Sequence, residues 1–239
     1  MKTEEKIIGT GAEAILIQKG SSLIKRRIAK GYRIKEIDEK LRKTRTRAEA
    51  KIMEKLAGKI NVPKIIKIDE KIKEIEMEFI NGKKLSDNLD NFPLKQQEAI
   101  CREIGKEVAK VHDWDLIHGD LTTSNMILVE SSQLAQEKMM KVDVANDKLN
   151  KTIKPNIDIT NMKDNNFKIY LIDFGLGFHS SKIEDKAVDL HLIKQALESK
   201  HFKHFQALFK AFLSSYNPKD KVKILSQLEK VELRGRYKH

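Results

Sequence analysis

The sequence predicts an α+β fold in two lobes, a β-rich first lobe with one main helix and a reduced, mostly helical second lobe. Three observations lead there. Short apolar runs broken by Gly and Ser occupy residues 7–27, and apolar alternation returns over 64–80. A long basic segment between them, 34–59, carries a broken helical stripe. Beyond residue 93 the apolar residues recur mainly at helical spacing. The expected division is 1–80 for the first lobe and 81–239 for the second.

The elements follow in order. Ile7 and Ile8 precede the turn Gly9-Thr10-Gly11-Ala12-Glu13-Ala14, and Ile15-Leu16-Ile17 resumes the strand. Lys19-Gly20 turns the chain into the strand that holds Leu23-Ile24-Lys25. In the basic helix, Leu41, Ile52, Met53 and Leu56 are apolar, and Gly58 and Pro63 mark its end. Ile66, Ile68, Ile72, Ile75, Met77 and Phe79 alternate as in a hairpin before Asn81-Gly82 breaks the run. Pro93 suits the first turn of a helix to Asp113, with Ile100, Ile104, Val108 and Val111 on one face. Met126 to Val129 and Phe167 to Ile172 are apolar runs able to pair. Between them, 130–166 is polar and free of aromatics, the composition of a long surface insertion. Helices are expected over Glu184 to Lys200, His201 to Ser215 and Pro218 to Leu233, followed by a basic tail at 234–239.

Composition narrows the class. With 239 residues and 40% hydrophobic content the chain can bury a sizeable core. It has no apolar run of about 18 residues, so no membrane span is expected. The charged start, Met1 to Lys6, does not read as a secretory signal. The single cysteine, Cys101, cannot form an internal disulfide and reads as a small core residue. A reducing, cytoplasmic setting fits. The net charge of +12 is uneven, for Lys25 to Lys51 hold twelve Lys/Arg against four Asp/Glu. A field of that sign attracts nucleic acid or an acidic protein, or it is a solvated face.

The chemistry sits in His118-Gly119-Asp120-Leu121-Thr122-Thr123-Ser124-Asn125 and in Asp173-Phe174-Gly175. Phosphoryl transfer needs positioning and charge compensation. Asp120 is the candidate to orient an acceptor hydroxyl or water. Asn125 and Asp173 offer the oxygen donors that magnesium prefers. Asp and Asn also favour ordinary turns, but the combined template is that of protein-kinase catalytic sites. Lys25, ending Leu-Ile-Lys, is the candidate lysine for ATP phosphates, and Lys19 is its rival in a turn. Glu49 is the candidate carboxylate to hold Lys25, or else a helix-surface partner of Arg45. Gly9, Thr10, Gly11 and Ala12 would bring backbone close to phosphates. Met77, Glu78 and Ile80 would form the hinge beside adenine. Asp189 is either an anchor for the catalytic loop or a surface residue. His118 reads as structural support, and His191, His201 and His204 do not read as metal ligands.

Lys30-Gly31-Tyr32-Arg33, Thr44-Arg45-Thr46-Arg47-Ala48-Glu49-Ala50, the His118–Asn125 segment and Leu233-Arg234-Gly235-Arg236 together resemble a known family. It is the Bud/PRPK family, the small atypical kinase/ATPase subunit of the KEOPS (EKC) complex, related to the RIO kinases. The resemblance covers nearly the whole chain outside 130–166 and implies a minimal two-lobed kinase fold using ATP and magnesium. It implies a Ser/Thr kinase/ATPase supporting threonylcarbamoyl modification of the tRNA adenosine next to the anticodon. The implied partners are the threonylcarbamoyl transferase subunit and a small regulatory subunit. The basic stretch and tail would contact tRNA or the transferase. The implied roles are Asp120 as catalytic Asp, Lys25 as ATP lysine, and Asn125 and Asp173 as metal ligands.

Departures from ordinary protein kinases matter. Gly119 stands where they carry Arg, Thr122 where they carry Lys, and no Ala-Pro-Glu segment follows Asp173-Phe174-Gly175. These favour ATP hydrolysis or limited phosphorylation. Rival functions are a small-molecule phosphotransferase of the aminoglycoside or choline kinase type and a non-catalytic RNA-binding scaffold.

Overall fold

The computed structural model describes residues 5–130 and 167–236. The expected insertion therefore lies outside the described residues except for Glu130, as does the end of the tail beyond 236. β1 (Glu5–Thr10), β2 (Ala14–Lys19) and β3 (Ser22–Arg27) form a meander. β4 (Ile65–Asp69) and β5 (Glu74–Glu78) complete an antiparallel sheet of order β1-β2-β3-β5-β4. β3 is thus central, and its side chains alternate between the two faces of the sheet.

α1 (Lys35–Leu56) packs against β4 and β5 of this sheet. Glu36 and Asp38 in its first turn complement the positive end of the helix dipole. It buries Ala50, Ile52, Met53 and Leu56 and leaves its other face charged. Two members of the expected alternation are not core residues: Ile66 and Ile72 are exposed. A register shift between Ile65 and Lys67 breaks the period-two pattern, and Ile72 falls in the turn between β4 and β5.

The second lobe begins with β6 (Lys83–Lys84), the short helix α2 (Leu85–Asn88) and a 3₁₀ turn, Leu89–Asn91. α3 (Leu94–Asp113) starts after Pro93 and buries Ile100, Cys101, Ile104, Val108 and Val111. Burial pushes the Cys101 thiol up to about 12, which keeps it an inert core group. β7 (Leu116–Ile117) leads into the motif loop, and β8 (Met126–Glu130) leaves it. β8 pairs with β9 (Phe167–Leu171) from Met126 opposite Leu171 to Glu130 opposite Phe167. β10 (Phe178–His179) pairs with β7.

Three helices complete the lobe: α4 (Ile183–Lys200), α5 (Phe205–Ser215) and α6 (Lys221–Arg236). α3 packs on α5 and α4 on α6. Phe174 is fully buried in one hydrophobic cluster that draws residues from both lobes. Burying a side chain of that size contributes about 1.5–3 kcal/mol. It sets Asp173 and Gly175, on either side of it, at the cleft.

Candidate active site

Alternation on β3 turns Lys25 and Arg27 inward and Arg26 outward to Glu74. Lys25 Nζ donates to Glu49 Oε1 at 2.7 Å and to Asp173 Oδ1 at 2.7 Å. Glu49, on α1, is only 1% exposed, and its Oε2 accepts from Arg27 Nη2 at 2.6 Å. Burial opposes the charge on Lys25, yet the Glu49 and Asp173 carboxylates outweigh it and hold the pKa above the ordinary lysine value. Arg45, the alternative partner of Glu49, instead reaches Glu13 in the glycine turn. Lys19, the rival lysine, pairs with Glu5 on the surface at 3.0 Å.

The motif loop is held from three sides. Asp189 on α4 accepts the N–H of His118 at 2.6 Å and of Gly119 at 2.9 Å, the anchoring geometry. His118 is buried, with Nε2 3.1 Å from the Ile172 carbonyl and Nδ1 3.3 Å from the Asp120 amide N. A neutral ring serves both bonds, with Nε2–H donating and Nδ1 accepting. Burial drives the His118 pKa below 6.5, against the pull of Asp189 and Asp173. Asn125 Nδ2 donates to the Asp120 carbonyl at 2.9 Å and to Asp120 Oδ2 at 2.8 Å. The Ile172 N–H closes onto the Asn125 carbonyl at 3.0 Å, which places the loop beside Asp173.

Asp173 has a left-handed backbone, φ 60°. A non-Gly residue held there stores strain of order 1–3 kcal/mol, of the kind that collects at functional sites. The Lys25 ion pair and the Gly175 N–H, 3.1 Å from Oδ1, stabilise the carboxylate. Burial works against its charge, but Lys25 prevails and the pKa lies below the usual aspartate value. Among the described residues Oδ2 takes no hydrogen bond. Asn125, its Nδ2 committed to Asp120, and Asp173 line one cavity and offer two side-chain oxygens. That donor set fits magnesium, which draws its other ligands from phosphate and water.

This cavity, about 390 Å³, is walled by Gly9, Leu16, Leu23, Met77, Ile80 and Ile127. Glu78 also lines it, so the three expected hinge residues share it with Lys25 and Glu49. Gly11 and Ala12 instead line an adjoining recess with Lys25, Asp120 and Asp173. Thr10 ends β1 and lines neither space, because its side chain stands exposed outside the turn. The sequence reading assigns no site role to Arg27, allows Glu13 a structural role and takes His201 as a surface or core histidine. Arg27 was detectable by its two-residue offset from Lys25. Glu13 accepts from Arg45, lies 3.4 Å from Arg33 and 3.5 Å from Arg27, and these cations, Arg45 first, lower its pKa despite partial burial. His201 bridges Asp90 at 2.9 Å and the Thr123 hydroxyl at 3.2 Å beneath the loop.

Comparison with known proteins bears on this geometry. A family model described as "RIO domain" matches residues 19–153. The KEOPS complex subunit Bud32 of Pyrococcus abyssi is 37% identical over 248 residues, covering 98% of this chain and 96% of that protein. The chain belongs to the Bud32 family of RIO-domain proteins. A probable bifunctional tRNA threonylcarbamoyladenosine biosynthesis protein of Methanobrevibacter smithii is 35% identical across 100% of this chain. The chain spans 38% of that longer protein. The Rio2 kinase of Chaetomium thermophilum, solved with ADP, Mg²⁺ and phosphoaspartate, superposes with TM-score 0.55 at 14% identity. That match covers 99% of this chain and 72% of the kinase, and it shows a shared kinase-like fold. The Bud32-type lobes thus hold Lys25, Asp120, Asn125 and Asp173 around one cleft.

Proposed function

We propose that this chain is an ATP-hydrolysing atypical serine/threonine kinase that supports threonylcarbamoyl modification of tRNA as a KEOPS subunit. The observation that carries the reading is the joined set in the cleft: Glu49 to Lys25, Lys25 to Asp173, and Asn125 to Asp120. The Bud32 relationship supports the biological setting. Lys25 would draw the ATP phosphates toward the cleft floor. Met77, Glu78 and Ile80 would seat adenine, and Gly9 and Gly11 would let the backbone close over the phosphates. Asp120 would orient the attacking water or hydroxyl and accept its proton. Magnesium, held by Asn125 and Asp173, would compensate phosphate charge when bound.

Thr122 and the absence of an Ala-Pro-Glu segment favour hydrolysis over phosphorylation of protein substrates. The partners in this reading are the threonylcarbamoyl transferase subunit, a small regulatory subunit and tRNA. Among the described residues no helix is long and apolar enough to cross a membrane. The test is reconstitution of tRNA modification with the transferase and either the wild type or Asp120→Asn. The expected result is modification with the first and little with the second. Equal modification by both would overturn the role of this site.

A further inference from the structure

Beyond Lys25 the cleft holds a cation that the site as described leaves without a role. Arg27 lines a recess of about 380 Å³ with Lys25, Asp120, Asp173 and Gly175. Its side chain is only 4% exposed. Two carboxylates meet its guanidinium. Glu49 Oε2 lies 2.6 Å from Nη2 and is itself buried, whereas Glu13 Oε2 lies 3.5 Å from Nη1 and belongs to a side chain 36% exposed. A guanidinium carries five donors in a planar fork, so these contacts leave capacity for another anion.

The recess is kept open at Gly175. A Cβ there would stand 2.9 Å from Asp173 Oδ1, 3.0 Å from Arg27 Nη2 and 3.5 Å from Lys25 Nζ. Glycine therefore leaves the space beside these charged atoms free of a side chain. The motif loop itself brings no cation beside Asp120, because Thr122 occupies the position where a lysine would help hold a transferring phosphoryl group.

We propose that Arg27 is a phosphate-contacting catalytic residue whose guanidinium binds the terminal phosphate of the nucleotide and supplies, from β3, the charge missing at Thr122. The proposal rests on the ATP-site reading above. Glu49 retains Nη2, and the terminal phosphate takes the place of Glu13 at Nη1. During hydrolysis the water oxygen bonds to the terminal phosphorus while the bond from that phosphorus to the bridging oxygen breaks. The bridging oxygen keeps the electron pair and leaves with ADP, and the water proton passes to Asp120. Arg27 stabilises the phosphoryl oxygens through this step and breaks no bond of its own.

The test compares binding of AMP and of an imido-bridged, non-hydrolysable ATP analogue, with magnesium, to the full wild-type chain and to Arg27→Gln. A lost charge-assisted contact should weaken the analogue about tenfold to a hundredfold, while AMP affinity stays nearly unchanged. Equal weakening of both ligands would mean that Arg27 acts only through Glu49, and no weakening would remove it from the site. Either result overturns the proposal while the reading of the cleft as an ATP site still stands. Should Arg27→Gln fail to fold, Glu13→Gln, on a partly exposed side chain, decides the matter. Freeing Nη1 should tighten the analogue by about two- to fivefold without affecting AMP, and a weaker or unchanged analogue would contradict the exchange. A wild-type chain that binds neither ligand would overturn the ATP-site reading as well.

Discussion

Asp189 accepts the backbone N–H of His118 at 2.6 Å across 71 residues of sequence. Its other oxygen takes the Gly119 N–H, so one carboxylate on α4 fixes the entry to the motif loop. The same carboxylate lies 3.4 Å from His112 Nε2, and His112 Nδ1 meets the Tyr216 hydroxyl at 2.6 Å. The loop is therefore braced by α3, α4 and the end of α5 together. Asp120 thus owes its position to this bracing as well as to its own bonds with His118 and Asn125.

Asp189→Ala would strand one buried N–H, that of His118, and one partly buried N–H, that of Gly119. Each unsatisfied group costs about 1–3 kcal/mol, so a stability loss of roughly 3–5 kcal/mol is expected. Asp189→Asn retains a single acceptor oxygen and should lose about half as much. Urea unfolding midpoints for the two variants check the order. Equal midpoints for Asp189→Ala and wild type would contradict the anchoring role.

Gly119 lies at φ 76°, and a Cβ there would stand 2.3 Å from the Leu176 carbonyl oxygen. The positive φ would strain a side chain there, and the close approach leaves no room for one. The arginine found here in ordinary protein kinases cannot fit this loop without moving the segment after Asp173-Phe174-Gly175. Gly119→Ala should therefore destabilise by about 2–4 kcal/mol, read from the denaturation midpoint. A shift of only a few tenths would contradict the close approach.

His118 gives the loop a pH response. Its pKa in the unfolded chain is near 6.5 and burial lowers it in the folded one. The unfolded chain then binds more protons between the two values, so the stabilisation is present above about pH 6.5 and declines as pH falls toward the folded pKa. The midpoint of thermal unfolding should drop from pH 7 to pH 5 in wild type. His118→Gln should be less stable at pH 7 and should lack that part of the drop. Parallel pH profiles would contradict a buried neutral imidazole.

The basic segment is less free than its charge suggests. Arg27, Arg33, Arg42, Arg45 and Arg47 pair with Glu49, Glu13, Asp38 and Glu70. Lys35, Lys40 and Lys43 on α1 stand exposed, with Lys43 only 4.0 Å from Glu70 as its nearest carboxylate. These lysines are the better candidates for phosphate contact. Replacing all three with Ala should reduce the slope of log affinity for tRNA against log salt by about 2–3. An unchanged slope would assign this face to protein or solvent.

The long elements were readable because their periods are local. Ile100, Ile104 and Val108 describe α3 by spacing alone, and Met126 to Val129 with Phe167 to Ile172 describe a pair of strands. The pieces β6, α2, β7 and β10 were not readable. Each has two to four residues, and tertiary packing rather than propensity sets it. In the site, Asp120, Asn125 and Asp173 stand out because few arrangements need Asp and Asn at that offset before Asp-Phe-Gly. Arg27 is hidden in Lys25-Arg26-Arg27, where three cations look alike until strand alternation separates Arg26 from the other two. The glycine turn is ambiguous for a related reason. Thr10 and Ala12 are neighbours of the glycines in sequence, yet only Ala12 faces the recess.

The central claim is that Lys25, Asp120, Asn125 and Asp173 work as one ATP site. ATP turnover by the wild type and by Asp173→Ala, each alone and with the transferase subunit and tRNA, tests it most directly. Wild type should turn over ATP, faster with the partners, and Asp173→Ala should lose most of that turnover in both settings. Equal turnover by the two chains would contradict the claim.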